Sequence, residues 1–139
     1  MPEKILYTAE ALSTGDGRNG HVASSDGRLD HDLAFPKEMG GSGEGTNPEQ
    51  LFAAGYAACF HSALRLVARN AGADVDGSTV TAQVGIGPDG AAFGLEVALK
   101  VHLPNVAQDK ALEVTEAAHQ VCPYSRATRG NITVSLQIV

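Results

Sequence analysis

Residues 51–60, Leu-Phe-Ala-Ala-Gly-Tyr-Ala-Ala-Cys-Phe, hold no charge, and this stretch constrains the fold most. What precedes it starts a helix. Asn47 is a good N-cap, Pro48 fits the first helical position, and Glu49 and Gln50 suit the first turn. Thr46 with Glu49 also reads as a capping box. The pattern predicts a helix from Pro48 to about Asn70, ended by Asn-Ala-Gly72. Its first half is apolar on every side, which requires burial all round. Ala53, Ala54, Gly55, Ala57 and Ala58 are small, so neighbouring backbones can approach closely. Arg65 and Arg69 place the second half in solvent.

Shorter elements surround this helix. Residues 4–13 read as a strand, the glycine-rich turn at 15–20 reverses it, and residues 21–24 return as its partner. Residues 29–35 form a weaker strand, stopped by Pro36. The loop Gly40-Gly-Ser-Gly-Glu-Gly45 lacks the Lys-Ser/Thr of a phosphate loop, which excludes nucleotide binding there. Residues 79–87, the turn Pro88-Asp-Gly90 and residues 92–103 make a β-hairpin pattern. Asn105 with Gln108 caps a second helix reaching about Cys122, with Val114, Ala118 and Cys122 on one face. Residues 131–139 alternate into a last strand. Residues 1–139 fit a single α+β domain, an antiparallel β-sheet packed on two core helices.

Composition removes several function classes. A net charge of −6 argues against nucleic acid and against anionic membrane surfaces as partners. No apolar run follows a basic N-terminal segment, and the longest apolar run is about half of what a bilayer needs. The expectation is a soluble cytoplasmic protein. Two cysteines in a reducing compartment point to catalysis or redox sensing rather than to a structural staple.

Cys59 and Cys122 each lie at the end of an apolar run, far apart in sequence, and such a pair can meet in the fold and cycle between thiols and a disulfide. Cys59 is about three turns into its helix, beyond the reach of the helix dipole, and apolar surroundings raise a thiol pKa. A reactive Cys59 therefore needs a cation from elsewhere. Arg18, His61 and His119 are the candidates. The competing readings are a core-filling Cys59 and a solvated Arg18 at a hairpin tip. Cys59, His61, His119 and Cys122 also make a four-ligand zinc set by type. Residues i and i+2 point about 200° apart on a helix, however, so Cys59 and His61 cannot face one ion. No metal or bound cofactor is expected. No Gly-x-Ser-x-Gly occurs, which leaves no nucleophile elbow. Glu49 reads first as a charge at a helix N-terminus.

Gly43-Glu-Gly-Thr-Asn-Pro-Glu-Gln-Leu-Phe-Ala-Ala-Gly-Tyr-Ala-Ala-Cys-Phe60 resembles the first cysteine motif of the organic hydroperoxide resistance (Ohr) proteins, in the OsmC-like superfamily. His119-Gln-Val-Cys-Pro-Tyr-Ser-Arg-Ala-Thr-Arg-Gly-Asn131 resembles their second. Leu6-Tyr-Thr-Ala, Gly17-Arg-Asn-Gly20 and the segment from Leu33 onward are similar too. The likeness covers nearly the whole chain and departs at Arg126, where the family pattern has Asn. It implies an intertwined homodimer and a thiol peroxidase that reduces organic hydroperoxides to alcohols. Cys59 would be the peroxidatic cysteine and Cys122 the resolving one. Arg18 would hold the thiolate and orient the peroxide, and Glu49 would hold Arg18. The implied reductant is a dihydrolipoyl group on a lipoylated protein. A redox-sensing or binding domain on the same fold is the rival. A sensor needs an output module, for which the chain has no spare segment.

Overall fold

The structure, a computed structural model, describes all 139 residues. By internal packing they form two compact units, 1–48 and 49–139.

The first unit is a small antiparallel sheet in the order β1 (Ala11–Thr14), β2 (His21–Ser24), β3 (Asp30–Asp32). A 3-10 turn, Gly17–Asn19, joins β1 to β2. Gly15 and Gly17 have φ of 71° and 62°, a region costly for residues with a Cβ. At Gly20 a Cβ would stand 2.1 Å from the Thr14 carbonyl oxygen, so only glycine closes this turn. The expected first strand is shortened at its start, because only Ala11–Thr14 find ladder partners, at Ser24–His21. Asn19 ties the unit together, its side-chain oxygen accepting from the Phe35 backbone N–H at 3.1 Å. Leu33 makes a single bridge to Thr46.

The second unit is built on α1 (Pro48–Asn70), as the capping signals predict. The helix ends at Gly72, φ 75°, where the Ala73 N–H bonds the Ala68 carbonyl and the Gly72 N–H bonds that of Arg69. This Schellman pattern satisfies the last carbonyls. Tyr56, Phe60, Leu64 and Ala68, four residues apart, are fully buried. Burial all round does not hold within one chain, since Ala54 and Ala58 are exposed. Arg65 turns back from solvent and donates to the Val75 carbonyl and the Ser78 hydroxyl, both at 3.0 Å. By length and composition alone α1 could cross a membrane, with a mean hydropathy of 1.4 over its most apolar 18 residues, although its continuous apolar run is the ten residues 51–60.

β4 (Thr79–Asp89) and β5 (Ala92–His102) form an antiparallel hairpin. β4 runs into the expected turn as far as Asp89, β5 begins at Ala92 as expected, and Gly90-Ala91 alone closes the hairpin, with Gly90 at φ 62°. α2 (Gln108–Val121) follows, ending where the sequence predicts, then α3 (Pro123–Thr128), a helix the sequence reading did not assign. Pro123 does not only stop a helix; it opens the next, at a position where its missing N–H costs nothing. Asn105 is no cap. Its amide instead reaches Asp74 Oδ2 and the Asp76 carbonyl at 3.3 Å, and Ala107 stands at the helix start.

β6 (Val134–Ile138) pairs with β5 in parallel, completing the order β4-β5-β6. The α2–α3 crossover returns the chain to the direction of β5, and a parallel partner then follows. The architecture is α+β, with two three-stranded sheets and three helices. The core joins the buried stripe of α1 to Val97, Leu99 and Val101 of β5 and to Ala111, Val114, Ala118 and Cys122.

Candidate active site

Two helix segments bring the cysteines together. Cys59 faces the core partly, one turn after Tyr56, and is half-buried. Cys122 is the hinge residue between α2 and α3 and is fully buried on the face shared by Val114 and Ala118. Their sulfurs are 3.8 Å apart, both as thiols. A disulfide needs about 2.05 Å, so bond formation asks for a shift smaller than a methyl radius on each side.

Burial pushes the Cys59 thiol up, since a thiolate is poorly solvated there. The backbone N–H of Tyr124 opposes this by bonding the sulfur, and the neighbouring Cys122 adds to the rise. Tyr124 lies in the first turn of α3, so this amide has no partner within the helix. The sulfur pair thus has one fixed dipole in its favour, and a local positive charge would add to it.

Neither histidine supplies one. His61 Nε2 is 2.9 Å from the Ser78 hydroxyl, and burial, with Arg65 nearby, lowers its pKa. His119 Nδ1 is 2.8 Å from the Ser125 hydroxyl, and burial, with Arg129 nearby, lowers its pKa too. Both are neutral at pH 7. No group of three or more His, Cys, Asp or Glu side chains could hold a metal ion.

Arg18 is in the glycine-rich 3-10 turn of the first unit, its guanidinium 5.9 Å from the centroid of the Phe35 ring. Glu49 lies in the first turn of α1. The helix is unbroken between Glu49 and Cys59, ten residues later (59 − 49). On such a helix the two Cα atoms are separated by roughly 15 Å along the axis.

Aromatic rings of α1 and α3 pack together. Phe52, Tyr56 and Tyr124 pack edge to face or tilted, with centroids 5.7 to 6.3 Å apart. Gly55 makes this possible, because a Cβ there would meet the Tyr124 hydroxyl oxygen at 3.0 Å. Next to them opens an apolar hollow of about 310 Å³ lined by Phe52, Leu95, Tyr124, Ala127, Thr128, Asn131 and Ile132. In this hollow α1 contributes Phe52, and the rest comes from β5, α3 and the segment after it.

The sequence reading missed Tyr56, Tyr124, Ser125 and Thr128. Ser125 and Thr128 are buried polar residues in a short helix, and the spacing of Cys122, Ser125 and Thr128, three residues each, is the signal that they share the inward face.

The OsmC-like protein family matches residues 41–137. An organic hydroperoxide resistance protein of Xanthomonas axonopodis pv. citri is 50% identical over 139 residues, covering 99% of this chain and 97% of its own. The crystal structure of an organic hydroperoxide resistance protein from Elizabethkingia anophelis superimposes with a TM-score of 0.90 at 52% identity, covering 97% of each chain. That of OhrB from Bacillus subtilis gives 0.87 at 45%, covering 97% of this chain and all of the other. Matched along nearly its whole length at about half identity, the chain belongs to the OsmC-like family and, within it, to the organic hydroperoxide resistance proteins.

Proposed function

We propose that this protein is a cysteine peroxidase that protects against organic hydroperoxides. The observation that carries the reading is the Cys59–Cys122 sulfur pair, 3.8 Å apart; Tyr124, whose backbone N–H bonds the Cys59 sulfur, also lines the apolar hollow. Hydroperoxide resistance in the names of its relatives supports the same substrate class.

The Cys59 thiolate attacks the distal oxygen of the hydroperoxide. The O–O bond breaks, the alkoxide takes a proton and leaves as the alcohol, and Cys59 becomes a sulfenic acid. Cys122 then attacks the Cys59 sulfur, and water leaves with the sulfenic oxygen. The disulfide is reduced by an external dithiol, which becomes a cyclic disulfide; a dihydrolipoyl group on a lipoylated protein is the assignment. Resolution by Cys122 precedes overoxidation because its sulfur is already in contact.

The thiolate needs a cation, since burial raises the Cys59 pKa and both nearby histidines are neutral. Arg18 is assigned this role, with Glu49 holding its guanidinium. One guanidinium cannot touch Glu49 and Cys59 across about 15 Å of a single helix. The Glu49 that serves a given Cys59 is therefore assigned to a second copy of the chain, in a cytoplasmic homodimer. Exposed apolar side chains support the dimer: Leu6 at 88%, Tyr7 at 79% and Leu12 at 68% of full exposure, together with Ala54 and Ala58 of α1. Surface of this kind is covered in stable proteins.

Steady-state consumption of an organic hydroperoxide with a dithiol supply tests the reading. Turnover that depends on Cys59 supports it. A single oxidation without turnover would favour a sensor, and no oxidation would favour a core-filling cysteine pair.

A further inference from the structure

Within the second unit lies a buried polar chain that the reaction just described does not use. His119 Nδ1 is 2.8 Å from Ser125 Oγ, Ser125 Oγ is 2.8 Å from Tyr56 Oη, and Tyr56 Oη is 3.2 Å from Thr128 Oγ1. The Thr128 hydroxyl donates to the Ser125 carbonyl at 3.1 Å. Tyr56 and Ser125 are completely buried.

One hydroxyl has one proton, and this fixes the direction of every bond. Thr128 gives its proton to the Ser125 carbonyl, so in its contact with Tyr56 it accepts. Tyr56 therefore donates to Thr128 and accepts from Ser125. Ser125, having donated, accepts from His119. His119 must then hold its proton on Nδ1, the uncommitted tautomer having been decided by three hydroxyls in series. The Arg129 guanidinium donates to the His119 carbonyl and fixes the same turn from the other side.

The chain spans three helices, and its members flank both cysteines. Tyr56 is three residues before Cys59; His119 and Ser125 are three residues before and after Cys122. Ser125 is the node, touching α1 through Tyr56 and α2 through His119. We propose that Ser125 is a positioning residue for the sulfur pair: its hydroxyl, held between Tyr56 and His119, fixes α3 so that Cys122 Sγ stays in contact with Cys59 Sγ and the Tyr124 N–H stays on the Cys59 sulfur. The proposal gives a role in the peroxidase cycle and so rests on that reading. A buried hydroxyl network is costly when one member is removed, which makes it suited to hold a hinge in one arrangement.

The test is the equilibrium between the thiol pair and its disulfide, set against a dithiothreitol couple, for the full chain and for Ser125→Ala and Tyr56→Phe. Loss of contact between the sulfurs lowers their effective concentration toward each other. The expected result is a shift toward the dithiol of about tenfold in Ser125→Ala, the factor that 1.4 kcal/mol represents, and a smaller shift in the same direction in Tyr56→Phe. A structural role alone would lower the melting temperature and leave this equilibrium within twofold of wild type; that result in both variants would overturn the proposal. If Ser125→Ala does not fold, Tyr56→Phe decides, because its ring still fills the core. Nitrogen-15 NMR of the His119 ring is the second readout, with Nδ1 protonated expected and Nε2 protonated refuting the directed chain. Because the equilibrium needs no peroxide, the two readings separate. A shifted equilibrium with no wild-type peroxide turnover removes the peroxidase and leaves Ser125 its role, whereas full turnover with an unshifted equilibrium does the reverse.

Discussion

Filling the apolar hollow lined by Phe52 and Tyr124 should erase the preference for organic hydroperoxides without touching the thiols. Ala127 is the position to change, since it is exposed on α3, lines the hollow and takes no part in the buried hydroxyl chain. Ala127→Phe puts a ring into a space of about 310 Å³ that is bounded by Phe52, Leu95 and Ile132. Each buried methylene of a peroxide tail is worth about 0.8 kcal/mol. A tail that loses four such contacts loses about 3 kcal/mol, or roughly 200-fold in kcat/KM at about 1.4 kcal/mol per factor of ten. Hydrogen peroxide has no tail to lose, so its kcat/KM should stay within about twofold. The assay compares cumene hydroperoxide with hydrogen peroxide for both proteins, and iodoacetamide alkylation of Cys59 checks that its reactivity is unchanged. An equal fall for both peroxides, or no fall for either, would refute the assignment of the hollow to the tail.

Three further outcomes are expected. Arg18→Ala should slow Cys59 alkylation at neutral pH by at least tenfold, because burial and the neighbouring Cys122 push this thiol up and the proposed counter-charge is gone; an unchanged rate would remove Arg18 from the site. His21 lies between Asp30 and Asp32, both at 2.8 Å, and hydrogen bonding to Asp32 raises its pKa above 6.5. Its contribution to pairing of β2 with β3 is thus complete below pH 6.5 and lost as pH rises through the raised value, and an NMR titration midpoint at or below 6.5 would contradict this. Mixing Glu49→Ala chains with Cys59→Ser chains should restore activity in the heterodimer, where one site combines intact Cys59 with intact Glu49. Activity no higher than in either parent, with heterodimer confirmed, would place both residues in one chain.

Local chemistry made much of this fold readable. Asn47, Pro48 and Gly72 bound α1 because capping and helix termination are decided by a few adjacent residues. The spacing of Val114, Ala118 and Cys122 placed the second cysteine on the core face, where it is. What sequence did not yield depends on partners distant in the chain. The parallel pairing of β6 follows from where the crossover returns, and an alternating pattern does not encode direction. Asn105 looked like a cap because Gln108 follows at the right spacing, yet its amide found Asp74 and Asp76 across a loop. Pro123 reads equally as an end and as a beginning, and the short helix it opens holds Ser125 and Thr128. Tyr56 gave no polar signal, since an aromatic in an apolar stripe reads as core; it is core, with a hydroxyl that requires partners.

The central claim is that peroxide oxidises Cys59 and that Cys122 closes the disulfide within the same chain. One equivalent of cumene hydroperoxide added to the reduced protein, followed by acid quenching, proteolysis without reductant and mass spectrometry, tests it directly. The expected product is a single linked pair of peptides containing Cys59 and Cys122, two hydrogens lighter than the thiols, formed within one chain and matched by one equivalent of alcohol. In Cys122→Ser the same treatment should leave Cys59 as sulfenic acid, trapped by dimedone. Linked peptides found only between chains, or wild-type Cys59 recovered as thiol after the peroxide is consumed, would contradict the account.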